Sequence, residues 1–249
     1  MKTAFHKIVY GLTMLGILCI TDSAFGWHDK THMAISKAAG YENWYNSAGS
    51  DVTKTKAGDK EGNNHWCNNN AGKDVTPEMA LKQVKLYNNC IDGEGHLYGA
   101  IIASLRNYMD DKANPGKYAE YHMAFCAHYI GDLSMPLHNV PHDNFNKGHH
   151  NKNDGIVETK EVKWEEDVEK IASKIKKNMK KIELHNEEEL AQAIARLANL
   201  SRELAAKMQS EKGPDGKPGR DMTEEEAYVQ LSHSASLLQA VIAYANKTK

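Results

Sequence analysis

HMAFCAHYIGDLSMPLHNVPHDNFNKGHH, residues 122–150, sets the reading of the whole chain, and Asp154 follows four positions after its last histidine. Its first half is apolar enough for a buried helix, with Phe125, Ile130 and Leu133 spaced through it. On a helix, His128 and Asp132 project from one face, about 40° apart around the axis. Pro136 lacks an N–H and clashes with the preceding turn, so the helix stops there and His138 can turn back from the segment that follows. His150 and Asp154 repeat the four-residue interval. The resulting pattern, H-x3-D-x5-H-x11-H-x3-D, offers imidazoles and carboxylates and no thiolates, which suits zinc sites that keep a position open for water. A lone histidine on an apolar face is ordinarily a satisfied core residue. Here two polar groups would be buried together, at a cost of several kcal/mol without partners, and a metal ion satisfies both at once.

The chain has 249 residues, 26% charged and 41% hydrophobic, which is ordinary for a globular protein and allows one or two domains. Residues 1–26 read as an export leader: Lys2 and Lys7 precede a short apolar run, Ile8 to Ile20, and Ala24-Phe25-Gly26 is a small-x-small cleavage signal. That run is too short to span a bilayer comfortably. The expectation is therefore an exported protein, secreted or periplasmic, that begins at Trp27. Losing Lys2, Lys7 and Asp22 with the leader takes the formal net charge from −2 to about −3, so no global basic field exists to hold a polyanion. Any nucleic acid or anionic lipid would be captured at the site itself.

Cleavage there makes Trp27 the first residue, and a free α-amino group beside its own carbonyl forms a five-membered chelate for a metal. His32 follows five positions later, in a short helical pattern that ends at Gly40. Residues 41–74 are rich in Gly, Asn, Ser and Lys and read as a long loop, of the kind that is usually functional. It carries Asp51, Asp59, His65 and Trp66.

The remainder is helical by pattern. Thr76-Pro77-Glu78 opens one helix, and residues 97–108 and 118–133 form apolar ones. Residues 162–179 are amphipathic, Asn186 caps a helix that runs to about Met208, and Thr223-Glu224-Glu225-Glu226 is a capping box for the last. The acidic runs at 165–167 and 187–189 read as first-turn acids and solvated faces. No repeat or linker divides the chain, so residues 27–249 are expected to form one all-α, single-domain helical bundle. Of the cysteines beyond the leader, Cys126 reads as a buried free thiol, while Cys67 and Cys90 could pair in an oxidising compartment.

Taken together, Trp27, the THMAI segment with His32, Asp51, His65, HYIGDLSMPLH with His128, Asp132 and His138, and finally His150 with Asp154 resemble the zinc-dependent phospholipase C and S1/P1 nuclease superfamily. The resemblance covers the mature chain to about residue 160. It implies an all-α fold with three zinc ions in one cleft. One would be held by Asp51, His65, His128 and Asp132, and a second by His138, His150 and Asp154. The third would take the amino group and carbonyl of Trp27 with His32, and Asp132 would bridge it to the first. Asp51 is preferred to Asp59 because its fourteen-residue distance from His65 is similar to the phospholipase spacing, and His150 to His149 because it lies four before Asp154. His96, His122, His142 and His233 match nothing in the pattern and read as structural or surface residues.

A phosphodiester gains negative charge as an oxygen nucleophile adds, so clustered divalent cations stabilise the transition state and acidify bound water. The resemblance points to Asp51 as the carboxylate that orients this water or takes its proton. Phospholipid and single-stranded nucleic acid are the two substrate classes it implies. Asp154, where phospholipase C has glutamate, and the Trp27–His32 interval lean toward the nuclease. The Asp51–His65 interval, the compact His138–His150 segment, the TH-x-x-I start and the short mature chain lean toward phospholipase C, the reading preferred here. Trp66, next to a ligand, can stack a base or pack on a choline or acyl group, and with Val140 and Phe145 can supply an apolar rim. A zinc-binding protein without catalysis is the third reading. No obligate protein partner is expected.

Overall fold

The computed structural model describes residues 26–51, 59–69, 72–114 and 118–247, with the side chains of residues 59 and 60 left aside. The expected leader, Gly26 excepted, and the side chain of Asp59 lie outside the described residues. The fold is all-α, and no strand is present among the described residues. Its longer helices are α1 (Asp29–Ala39), α2 (Pro77–Gln83), α3 (Leu97–Lys112), α4 (Glu120–Ser134), α5 (Asn144–Asp154), α6 (Trp164–Lys176), α7 (Glu187–Ser210) and α8 (Glu224–Lys247). No helix among the described residues is long and apolar enough to cross a membrane.

Helix α4 is the axis of the bundle. It is buried on nearly every side, as a helix apolar all round must be, and α1, α3, α7 and α8 pack around it. Met123, Tyr129, Ile130 and Leu133 enter the common core with Ile101 and Ile102 of α3, Leu197 of α7 and Leu238 of α8. The helix ends as its sequence requires: Met135 is extended (φ −76°, ψ 114°), the conformation proline imposes on the residue before it. Asn139 then donates its side-chain N–H to the carbonyls of Leu133 and Met135, at 3.0 and 2.9 Å, replacing bonds the broken helix lacks. A short 3-10 turn, Pro136–Asn139, carries His138 back toward the helix.

The expected caps form. The Thr76 hydroxyl accepts from the N–H of Met79, Asn186 accepts from that of Glu189, and Thr223 and Glu226 exchange both bonds of a capping box. Gly40 closes α1 at φ 81°, a left-handed conformation that favours glycine.

Four expectations need correction. The loop of residues 41–74 contains a 3-10 helix, Trp44–Ala48, and a helical turn, Asp59–Gly62, because its polar residues find partners within the fold. Helix α5 was legible only as a His–Asp interval, yet Asp143 caps it by accepting from the N–H of Asn146 at 2.9 Å. Cys67 and Cys90 are not bridged: Cys67 is buried against the Gln83 amide, and Cys90 is exposed. Asp167 is not on a solvated face. It is fully buried, accepting from Lys30 and from the N–H of Thr159 and so tying α6 to α1. Cys126 is a buried free thiol, as expected.

Candidate metal centre

Three groups of buried side chains bring ligand atoms within 4.8 Å of one another: Asp51, His65 and His128; His32, His128 and Asp132; and His138, His150 and Asp154. Each could hold a metal ion. The carboxylate of Asp132 faces two ways. Its Oδ2 lies 2.9 Å from Nδ1 of His65 and 3.3 Å from Nε2 of His128, while its Oδ1 lies 3.3 Å from Nε2 of His32 and 3.8 Å from Nδ1 of His138.

The backbone and neighbouring side chains decide which nitrogen of each ring points inward. Nδ1 of His128 donates to the carbonyl of Ser47 at 2.7 Å, so its Nε2 faces the carboxylates. His138 donates from Nδ1 to the carbonyl of His65, and His150 from Nδ1 to Oδ1 of Asn146, at 2.5 and 2.7 Å. The inward Nε2 atoms of these two rings then stand 3.0 Å apart, with Oδ2 of Asp154 3.6 Å from that of His150. His65 is turned the other way. Its Nδ1 faces Asp132, and its Nε2 faces the hydroxyl of Ser50 at 3.3 Å and the carboxylate of Glu61 at 3.6 Å. Pinning one ring nitrogen and offering the other is how metal-bound histidines are oriented.

The electrostatics suit a cation. Burial would lower the basicity of His128, but the Asp132 and Asp51 carboxylates outweigh it and push the ring up to about 9. Burial and the neighbouring His128 push His32 down, against the pull of Asp132. Burial would raise both Asp51 and Asp132, yet His128 above all holds each below its usual range, Asp132 well below. Neither ring nitrogen of His32 nor Oδ1 of Asp132 makes a hydrogen bond among the described residues, although all are buried. A metal ion would satisfy these buried atoms together. Nitrogen and oxygen donors without thiolate suit zinc.

Helix packing makes the approach possible at Gly131. A Cβ there would fall 2.5 Å from Nδ1 of His32, whose ring stacks on that of His128 with centroids 3.7 Å apart. Trp27 is buried, its indole N–H donating to Ser134 at 3.0 Å, and a Cβ on Gly26 would collide with Oδ1 of Asp132. The backbone entering Trp27 therefore runs against the same carboxylate.

The expected ligands thus converge: the side chains of His32, Asp51, His65, His128, Asp132, His138, His150 and Asp154 fall in the three groups, and Trp27 lies beside them. His149 does not join. Its ring donates to Asp221 at 2.6 Å instead. Sequence reasoning missed Asn146 and Glu61, each four residues before a histidine it helps orient: Asn146 and His150 share one turn of a helix, while Glu61 and His65 are brought together by the turn that follows Gly62. His96 is structural, buried between Asp92 and Asn64.

A cavity of about 280 Å³ opens beside the third group, lined by Trp66, Asn68, Leu137, Val140, His142 and Asn146 together with His138 and His150. Trp66 and Val140 form its apolar side. Phe145 lines a separate cavity of about 220 Å³ across Val140, because its ring packs by His149 and Gly219. The chain matches no family model, and no curated protein matches it.

Proposed function

We propose that this protein is an exported zinc-dependent phosphodiesterase, beginning at Trp27, that hydrolyses phosphatidylcholine-type lipids on the glycerol side of the phosphate. The observation that carries this reading is the cavity beside His138 and His150: its walls are apolar side chains, amides and imidazoles, and neither lysine nor arginine lines it. Nucleic-acid affinity rests on many cationic contacts along the backbone, whereas a phospholipid needs a single phosphate held. Trp66, Leu137 and Val140 supply the apolar surface that a lipid substrate uses.

Zinc at the three groups would supply an acidified water and positive charge for the phosphate. Asp51, whose carboxyl the neighbouring His128 and His65 rings hold below its usual range, would orient that water or accept its proton. The water oxygen bonds to phosphorus, the bond from phosphorus to the glycerol oxygen breaks, and a proton completes the diacylglycerol hydroxyl. Trp66 and Asn68, an aromatic plane beside an amide, favour a second reading in which the cavity takes a nucleobase of single-stranded nucleic acid.

Zinc-loaded protein beginning at Trp27, offered phosphatidylcholine vesicles and single-stranded DNA and RNA side by side, distinguishes the readings. Diacylglycerol and phosphocholine are expected, and both should vanish with a chelator or with Asp51→Asn. Mononucleotides without diacylglycerol would move the assignment to the nuclease, and zinc binding without any turnover to a non-catalytic zinc protein.

A further inference from the structure

Glu61 is a carboxylate buried to 5% exposure in a region the sequence presents as loop. An ionised carboxylate only accepts hydrogen bonds, and three neutral donors converge on this one. The Ser50 hydroxyl reaches Oε1 at 2.6 Å, Nδ2 of Asn64 reaches Oε2 at 3.0 Å, and the Tyr129 hydroxyl closes tightly on Oε1. Each donor is the chain neighbour of a ligand candidate: Ser50 precedes Asp51, Asn64 precedes His65, and Tyr129 follows His128. These are the three residues of one metal-binding group. The Ser50 hydroxyl gives its hydrogen to Glu61, so its lone pair is left to accept from Nε2 of His65 at 3.3 Å. The orientation of Asn64 is determined in turn, because its Oδ1 accepts from His96 at 2.8 Å and from the N–H of Asn88 at 3.1 Å.

We infer that Glu61 is the positioning residue of the Asp51–His65–His128 group, tying its three chain segments together and holding His65 in the tautomer whose Nδ1 faces the metal. The inference rests on the metal-centre reading above. Partners of this kind typically change metal affinity by roughly 10–100-fold. The test is zinc binding by mature wild-type protein and by Glu61→Gln, titrated against a competing chelator. The carboxamide keeps the shape but sets an N–H against a donor hydrogen, that of a hydroxyl or of the Asn64 amide. One zinc should bind roughly 10–100-fold more weakly in the variant, the His138–His150–Asp154 ion should be retained unchanged, and nitrogen NMR should show His65 losing its uniform Nε2–H form. Tyr129→Phe removes one donor and leaves the carboxylate, so it should give a smaller loss at the same ion even if Glu61→Gln does not fold. Unchanged zinc affinities in the folded variants, or equal weakening of every ion, would overturn the inference while leaving the metal centre in place. Wild-type protein that binds no zinc would overturn the metal-centre reading and the inference with it.

Discussion

Asp132 is the side chain at which the groups of the centre meet. Its two oxygens face different histidines, and Oδ1 makes no hydrogen bond among the described residues despite full burial. A carboxylate in that position is fitted to bridge two ions. Asp132→Asn should therefore remove more than one zinc per chain, measured by elemental analysis after gel filtration; retention of every ion would end the bridging role. The same scale explains why the histidines are not interchangeable. His149 and His150 are adjacent in sequence, but Asn146 orients His150 inward while Asp221 draws His149 away.

Among the elements, α1 and α4 must approach closely enough for His32 to stack on His128, and Gly131 is where that contact is made. Gly131→Ala puts a methyl group into the His32 ring, and overpacking of this kind costs typically about 1–3 kcal/mol. Its thermal midpoint should fall and the zinc shared by His32 should weaken. Gly148 on α5 is the contrast: nothing lies within 4 Å of a Cβ built there. Gly148→Ala should stabilise by roughly 0.5–1 kcal/mol through helix propensity alone, with zinc content unchanged. A matching gain in both variants, followed by thermal melts, would mean that Gly131→Ala acts through helix propensity and that no close approach constrains the site.

For the whole molecule, candidate ligands spread from His32 to Asp154 are gathered around one buried helix, and Trp27 lies beside them. Close to three zinc ions per purified mature chain are expected; one or fewer, in protein never exposed to chelator, would sink the three-ion reading. A chain that keeps Gly26 has an amide where Trp27 would offer its amine, and it sets Gly26 against Asp132. It should fold, lose one zinc and lose most activity. Equal zinc content in the two forms, by elemental analysis, would remove Trp27 from the ligand set.

Much of this was written locally. The break at Pro136, the His128–Asp132 face and the caps at Thr76, Asn186 and Thr223 are set by interactions within about four residues, so the sequence alone determined them, along with the donor chemistry of the centre. Helix α5 was hidden because its composition is polar, and its anchorage to Asp221 comes from a residue far along the chain. Glu61 was hidden for the same reason: four residues from His65, it looks like a loop acid until Ser50 and Tyr129 close on it. Cys67 and Cys90 seemed a possible pair by context, and Asp167 a solvated acid, until packing placed one sulfur beside Gln83 and the carboxylate beside Lys30. Which distant group meets which depends on how the helices close over the core, and no periodicity or spacing encodes that choice. Only the tertiary structure decided it.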